Sequence, residues 1–317
     1  MNKVLRTFLA VALILAVFLI QACSVLISPA HPSSPEINSY TLVPIDPAKL
    51  GMVERDITYC TADGVPLKMD IYYPEFATAA APAVIYVHGG AWIQGDKNEG
   101  AGIIEIPELR SRGYLVAAVN YRLAPEYKFP AQIEDVKCAV RFLRANAAAY
   151  GINPARIGAW GGSAGGHLVA LLGTSDPSSG FEGDGGYADE SSRIQAVVDM
   201  FGPTDLKALS LEGDPRFLLL IFGTINRNAN IVKRANPITW ISSDDPPFLI
   251  LHGENDELVP VDQSEIFYNG LVADGVPATL VIVENAGHGF LPAGGTVDPS
   301  RVEITKMVAD FFDEHLK

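Results

Sequence analysis

The sequence IGAWGGSAG, residues 157–165, places a G-x-S-x-G motif between a short apolar run typical of a buried strand, Ile157–Trp160, and a helical stretch, Ala164–Leu172. A strand that turns sharply into a helix at this motif forms a nucleophile elbow, in which the serine hydroxyl is exposed at the helix N-terminus. Backbone N–H groups and the helix dipole favour a developing anion there. Ser163 is therefore the predicted nucleophile, and the alternative is a glycine-rich turn with an incidental serine.

Apolar runs and helical patterns alternate on both sides of this motif. The predicted strands are Val53–Tyr59, Leu67–Tyr73, Ala83–Val87, Tyr114–Val119, Ile157–Trp160, Ala196–Phe201, Phe248–Leu251 and Leu280–Val283. The predicted helices are Ala131–Ala148, Ala164–Leu172, Asp262–Ala273 and Arg301–Leu316. This alternation predicts an α/β fold with a mostly parallel central sheet of about eight strands and helices on both faces. The first two strands, joined at Asp63-Gly64, are expected to form an antiparallel pair at one edge.

In such a sheet, ligands and catalytic residues lie at the carboxyl ends of the strands. A base and an acid are therefore expected there. A serine hydroxyl is a weak nucleophile without a base. Of the six histidines, His288 follows a strand within the small-residue loop NAGHGF and is the best placed base. The loop after the preceding strand, HGENDELVP, offers three candidate acids, Glu254, Asp256 and Glu257.

The strand Ala83–Val87 ends in HGGAW, residues 88–92. With the loop HGENDELVP, the serine and histidine motifs and the stretch NYRLAPE (residues 120–126), it resembles serine esterases of the α/β-hydrolase fold. Within that fold it resembles the hormone-sensitive-lipase-like and feruloyl-esterase-like branch with an HGGxW motif. This resemblance extends from about residue 50 to the end of the chain.

The resemblance implies roles for individual residues. It selects Asp256 as the acid, which completes a triad with Ser163 and His288. It implies an oxyanion hole built from backbone N–H groups and a substrate-pocket position next to it. It gives Arg122 and Asp135 a structural role as a paired support. The implied oxyanion-hole residues are Gly89, Gly90, Ala91 and Ala164, and the implied pocket residue is Trp92.

The function implied is a serine carboxylic-ester hydrolase that acts on small acyl esters through an acyl-enzyme intermediate. No metal and no cofactor are expected. An amide hydrolase of the same fold, either formamidase-like or aminopeptidase-like, is the alternative. A third possibility is an inactive lipoprotein that only binds its ligand, although the complete set of motifs argues against it.

The N-terminus predicts export and a membrane anchor. Lys3 and Arg6 precede the apolar run Phe8–Ile20, which is followed by Gln21, Ala22 and Cys23. This arrangement resembles the lipobox of bacterial lipoproteins, in which the cysteine is lipidated after cleavage. The expected organisation is a signal peptide over residues 1–22, a Pro/Ser-rich tether over 23–48 and a catalytic domain over 49–317, in an extracytoplasmic, membrane-anchored protein. An ordinary signal peptide or an uncleaved transmembrane anchor is the alternative.

The remaining features carry weaker expectations. The net charge of −14 argues against nucleic acid as a partner. Cys60 and Cys138 show no spacing that pairs them, so buried free thiols are expected. The acidic loop 181–190 lacks the EF-hand pattern and is expected to be solvated, with calcium binding as the alternative. The run 217–222 is apolar almost without interruption and is expected to pack as a cap helix, or else to line an acyl pocket.

Overall fold

A computed structural model describes residues 43–76, 80–207 and 215–317 of the chain. Its strands are β1 Val53–Ala62, β2 Val65–Tyr72, β3 Ala81–Val87, β4 Leu115–Val119, β5 Ile152–Gly162, β6 Ala196–Met200, β7 Phe248–Gly253 and β8 Ala278–Val283. Its α-helices are α1 Ile106–Ser111, α2 Ala131–Ala145, α3 Ala147–Tyr150, α4 Ala164–Thr174, α5 Pro215–Phe222, α6 Asn230–Arg234, α7 Asp262–Ala273 and α8 Arg301–Leu316. Short 3₁₀ helices cover Pro47–Lys49, Ala101–Glu105, Pro177–Ser179, Pro237–Thr239 and His288–Phe290.

The described strands form one eight-stranded sheet in the order β1-β2-β4-β3-β5-β6-β7-β8. β1 pairs antiparallel with β2, and β2 pairs antiparallel with β4. All other neighbours are parallel. The predicted α/β fold and the antiparallel pair at one edge are therefore confirmed. Because the six strands β3 to β8 run in the same direction, the loops that follow them meet at one edge of the sheet.

Helices cover both faces of the sheet, as its buried central strands require. Every residue of β3 is buried, and alternate side chains contribute to two separate cores. Ala83, Ile85 and Val87 belong to the core that includes residues of α2 and α4. Val84 and Tyr86 belong to the second core, which includes residues of α1 and α8. The site at the carboxyl edge is thus built on rigid, doubly covered strands.

Cys60 and Cys138 form a disulfide that links β1 to α2, with their Cα atoms 6.4 Å apart. The expectation of free thiols is wrong. The two cysteines are 78 residues apart in sequence, and only the packing of α2 against β1 brings them together. No local sequence spacing could have indicated this pairing.

The acidic loop is only partly solvated. Asp184 and Asp189 are exposed, as expected. Glu182, however, accepts hydrogen bonds from the buried Lys137 at 3.0 Å and from Arg141 at 2.7 Å. The prediction of a solvated loop is wrong for Glu182, because two buried cations from α2 need an anionic partner. Among the described residues, no group of three His, Cys, Asp or Glu side chains could hold a metal ion.

The apolar run 217–222 lies in α5, and one face of this helix packs on the body of the protein. Leu218 and Ile221 are buried, whereas Leu219 and Leu220 are exposed by 46% and 38%. The expected packing is therefore confirmed for one face of the helix and wrong for the other.

The predicted signal peptide, Cys23 and most of the tether lie outside the described residues. Of the tether, residues 43–48 are described, and Ile45 is buried in the core against the backbone of Gly151. None of the helices in the described ranges has the length and apolar character needed to cross a membrane.

Candidate active site

Ser163 stands at the turn from β5 into α4, in the conformation that a nucleophile elbow requires. Its φ of 58° and ψ of −121° are strained for a residue with a side chain. A Cβ on Gly161 would lie 2.6 Å from the carbonyl oxygen of Val87, so the turn excludes a side chain there. The amide of Ser163 donates to the carbonyl oxygen of Met200 at 2.9 Å, which fixes the turn on β6.

His288 and Asp256 form a direct pair in the loops that follow β8 and β7. The imidazole Nδ1 lies 2.7 Å from Asp256 Oδ2. Because the carboxylate accepts there, Nδ1 carries the proton and Nε2 is left as a free base. Asp256 Oδ1 accepts from the amides of Leu258 and Val259, each at 2.9 Å. Asp256 is thus held in place and can orient His288.

Burial alone would raise the pKa of Asp256. Hydrogen bonds from His252, His288 and the backbone outweigh that effect and hold the pKa of this carboxyl well below its usual range. Asp256 is therefore an anion at neutral pH and can stabilise a positively charged His288. Glu254 and Glu257, the other two acids of the loop, are exposed.

Ser163 and His288 are brought to the same edge of the sheet, but within the described residues no hydrogen bond joins them. Catalytic hydrogen bonds of this kind are often long in the absence of substrate. Phe201, which directly follows β6, lies near both the nucleophile turn and His288. Its ring centroid is 4.8 Å from that of His288, and a Cβ on Gly162 would be 2.9 Å from its Cζ.

The loop after β3 passes beside the elbow at Gly89. A Cβ on Gly89 would lie 3.0 Å from the carbonyl oxygen of Gly162 and 3.5 Å from Ser163 Cβ. Over the described ranges, the N–H groups of Gly89, Gly90 and Ala91 donate no hydrogen bond. Ala164 begins α4, and the first N–H groups of a helix have no partner within it. These four amides are available to an oxyanion.

His88 supports this loop and does not serve as a base. Its Nδ1 lies 2.7 Å from the carbonyl oxygen of Gly89, and its ring stacks on Tyr121 with the centroids 4.3 Å apart. Burial lowers the pKa of His88 to about 4. The neutral ring therefore shapes the loop.

Arg122 and Asp135 form the buried pair that the resemblance implies. Arg122 Nη2 donates to Asp135 Oδ1 at 2.7 Å, and the backbone amide of Arg122 donates to Oδ2 at 2.8 Å. Arg122 also contacts Asp63 at the β1–β2 turn. The predicted structural role is confirmed, because this network ties the loop after β4 to α2 and to the edge of the sheet.

Trp92, the predicted pocket residue, is only 4% exposed. Its indole Nε1 donates to His167 Nδ1 at 3.2 Å, and its ring lies 6.1 Å from that of Phe217 in α5. Sequence reasoning missed Phe201 and His167 as parts of this site. The position of Phe201 at the carboxyl end of β6 was the one signal that could have indicated it.

Comparison with known proteins shows what the chain is similar to. The BD-FAE family model matches residues 69–271. The chain is 32% identical to Esterase LipC of Mycobacterium tuberculosis over 68% of its own length and 55% of that protein. It is 37% identical to the probable carboxylic ester hydrolase LipM of the same organism, over 61% and 46%. The chain spans about half the length of the curated relatives it matches.

Two solved structures are similar over nearly their full length. A truncated form of a carbohydrate esterase from gut microbiota superposes with a TM-score of 0.74 at 32% identity, over 85% of this chain and 98% of that one. The apo form of Thermogutta terrifontis esterase 2 gives a TM-score of 0.69 at 26% identity, over 82% and 93%.

Proposed function

Because the chain belongs to the BD-FAE family, a group of α/β-hydrolase-fold proteins, we propose that it is a serine carboxylic-ester hydrolase acting on small acyl esters. One observation carries this proposal. The elbow serine Ser163, the His288–Asp256 pair and the unbonded amides of the loop after β3 lie together at the carboxyl edge of the sheet. The similar proteins LipC, LipM and esterase 2 carry esterase or ester-hydrolase names, which supports ester rather than amide chemistry.

In this mechanism Ser163 Oγ attacks the ester carbonyl carbon while His288 Nε2 accepts its proton. The carbonyl oxygen becomes an oxyanion that accepts hydrogen bonds from the amides of the loop after β3 and of Ala164. Asp256 stabilises the imidazolium. The tetrahedral intermediate then breaks, and His288 returns the proton to the leaving alcohol.

The product of this first half is an ester between the acyl group and Ser163 Oγ. A water molecule attacks that ester, and His288 Nε2 takes its proton. The second tetrahedral intermediate then breaks, His288 returns the proton to Ser163 Oγ, and the carboxylic acid is released. These steps use only side chains and amides of this chain.

A panel of 4-nitrophenyl esters with acyl chains from two to twelve carbons tests the substrate class. Structures of esterase 2 with propionate and butyrate bound support a preference for short acyl groups. We expect kcat/KM to be highest for chains of two to four carbons and to fall at least roughly 10-fold by eight, since an acyl group that does not fit loses binding in the transition state. A value that stays constant to twelve carbons would contradict the small-acyl proposal. Acetylated and feruloylated sugars belong in the same panel to identify the alcohol.

We also propose that the protein is exported and held on a membrane by a lipid on Cys23. The arrangement of Lys3, Arg6, the apolar run and Cys23 supports this. In the structure, Ile45 packs on Gly151, which immediately precedes β5, so the chain joins the body at the amino ends of the parallel strands. The carboxyl ends of these strands, where Ser163, Asp256 and His288 lie, are at the opposite end of the sheet.

Metabolic labelling with palmitate tests the anchor. The wild-type protein should incorporate label and partition into detergent, and Cys23→Ser should abolish the labelling. Several acyl chains hold a protein firmly, because each buried CH₂ contributes about 0.8 kcal/mol. An unlabelled wild-type protein that remains uncleaved and membrane-bound would contradict the lipoprotein and favour a transmembrane anchor.

A further inference from the structure

A buried hydrogen-bond chain connects the loop after β3 to the segment that follows α6. Trp92 Nε1 donates to His167 Nδ1 at 3.2 Å, and His167 Nε2 lies 2.7 Å from the carbonyl oxygen of Ala235. The two rings meet edge to face, with centroids 5.0 Å apart. His167 lies in the first turn of α4, where its amide donates to the carbonyl oxygen of Ser163 at 2.9 Å. The His167 side chain thus joins the loop after β3 to the segment after α6, from a position on the helix that begins beside Ser163.

The partners of His167 determine its protonation. An indole N–H can only donate, so Nδ1 must be the acceptor. A carbonyl oxygen can only accept, so Nε2 must carry the proton. Burial lowers the pKa of His167 to about 4, which keeps the ring neutral at working pH. Both ring nitrogens are therefore satisfied in a single tautomer.

The loop that carries the free amides needs such a support. Ala91 and Trp92 adopt φ values of 54° and 61°, a left-handed conformation that residues with a Cβ rarely adopt. Such conformations persist only where the surrounding structure imposes them. Trp92 is held at its carbonyl oxygen by the amide of Ala124 at 2.9 Å and at its indole by His167.

We propose that His167 is a positioning residue for the oxyanion hole: through Trp92 it holds the amides of Gly90 and Ala91 in the orientation that the oxyanion requires. This assignment rests on the proposed esterase function. His167 touches neither substrate nor the reacting atoms in this role. It acts through the indole of Trp92, and it anchors that indole to α4 and to Ala235.

Three variants test this role. His167→Leu removes both hydrogen bonds, and Trp92→Phe removes the indole N–H. His167→Gln keeps one acceptor for Trp92 and one donor for Ala235. Removal of an oxyanion donor costs about 10²–10³ in kcat, so its displacement should lower kcat by roughly 10- to 100-fold in His167→Leu, with KM within about 3-fold of wild type. His167→Gln should recover most of this loss, and His167→Leu with Trp92→Phe should be much less than multiplicative.

Two further measurements separate positioning from general destabilisation. A trifluoromethyl ketone, which forms a tetrahedral adduct with the serine, should lose affinity in His167→Leu by about the factor lost in kcat. His315→Leu, the same change in the last turn of α8, is the matched control and should leave kcat unchanged. Amide NMR shifts of Gly90 and Ala91 should move in His167→Leu and not in His315→Leu, whether or not the protein hydrolyses esters.

Each outcome decides one claim. Unchanged kcat and unchanged Gly90 and Ala91 shifts in His167→Leu, or a multiplicative double variant, would overturn the positioning role. If His167→Leu does not fold, Trp92→Phe provides the test. A kcat equal to that of wild type would then overturn the positioning role. A wild-type protein that hydrolyses no ester would reject the proposed function alone, because the amide shifts would still show whether His167 positions the loop.

Discussion

At the scale of single residues, the proposed mechanism requires Ser163 and His288 to act as one unit. Ser163→Ala and His288→Ala should each lower kcat by roughly 10⁴ or more, and the double variant should be little worse than either. Removal of either residue already prevents efficient attack on the ester, so removal of the second causes little further loss of kcat. Initial-rate kinetics of the three variants on one activated ester would check this. Losses that multiply would show that the two residues do not share a mechanism.

Two buried histidines make a prediction about stability. Burial lowers the pKa values of His88 and His167 to about 4, against about 6.5 in an unfolded chain. Between those values the unfolded state binds more protons at these two histidines, so their contribution to the free energy of unfolding falls as the pH falls from about 6.5 to about 4. Each histidine contributes on the order of 2 kcal/mol to this loss at pH 5.

Comparison of wild type with His167→Gln isolates one of these contributions. Buried carboxyls such as Glu105, whose pKa burial raises to about 7, affect both proteins equally and cancel. Urea unfolding at pH 7 and pH 5 should show a smaller acid-side loss in His167→Gln. Equal losses in the two proteins would contradict a neutral, buried His167.

At the scale of secondary-structure elements, the Cys60–Cys138 disulfide ties the edge strand β1 to α2. Closing a loop between residues this far apart restricts the unfolded chain and stabilises the fold by about 2–4 kcal/mol. Cys60→Ala/Cys138→Ala should lower the free energy of unfolding by that amount in urea. The wild-type protein treated with a reductant should behave like the variant, and equal stability of oxidised and reduced protein would contradict the prediction.

The helix bounds also show which features of the fold could be predicted from the sequence. Both α7 and α8 match their predicted bounds, because their apolar periodicity is uninterrupted and Ser300 with Glu303 forms a capping box at the start of α8. The predicted helix Ala131–Ala148 is instead divided at Asn146. The apolar pattern of the sequence continues through Asn146, so it does not indicate where the helix is interrupted.

The residues of the candidate site were likewise predicted only in part. Motif positions after β5, β7 and β8 predict Ser163, Asp256 and His288, and the structure places all three at one edge. The contacts of Phe201 with Gly162 and His288, and of His167 with Trp92, join elements that are far apart in sequence. Apart from the position of Phe201 at the carboxyl end of β6, no local pattern indicates these contacts, and sequence analysis missed them.

At the scale of the whole molecule, residues that precede the predicted boundary at residue 49 pack on the body of the fold. Ile45 is buried, and Lys49 pairs with Glu54 at 2.9 Å. A protein that begins at residue 43 should therefore fold and hydrolyse ester as the full chain does. One that begins at residue 51 should unfold at a lower temperature, because loss of a buried isoleucine costs about 2–5 kcal/mol. Identical melting temperatures would show that residues 43–50 do not contribute to the body.

The central claim is that this molecule transfers an acyl group to Ser163 and then to water. Mass spectrometry of the protein that begins at residue 43, quenched in acid within the first turnovers of a 4-nitrophenyl ester, tests it most directly. We expect an added acyl mass on the peptide that contains Ser163, released with the kinetics of steady-state turnover and absent from Ser163→Ala. An acyl group found on another residue, or full turnover by Ser163→Ala, would contradict it.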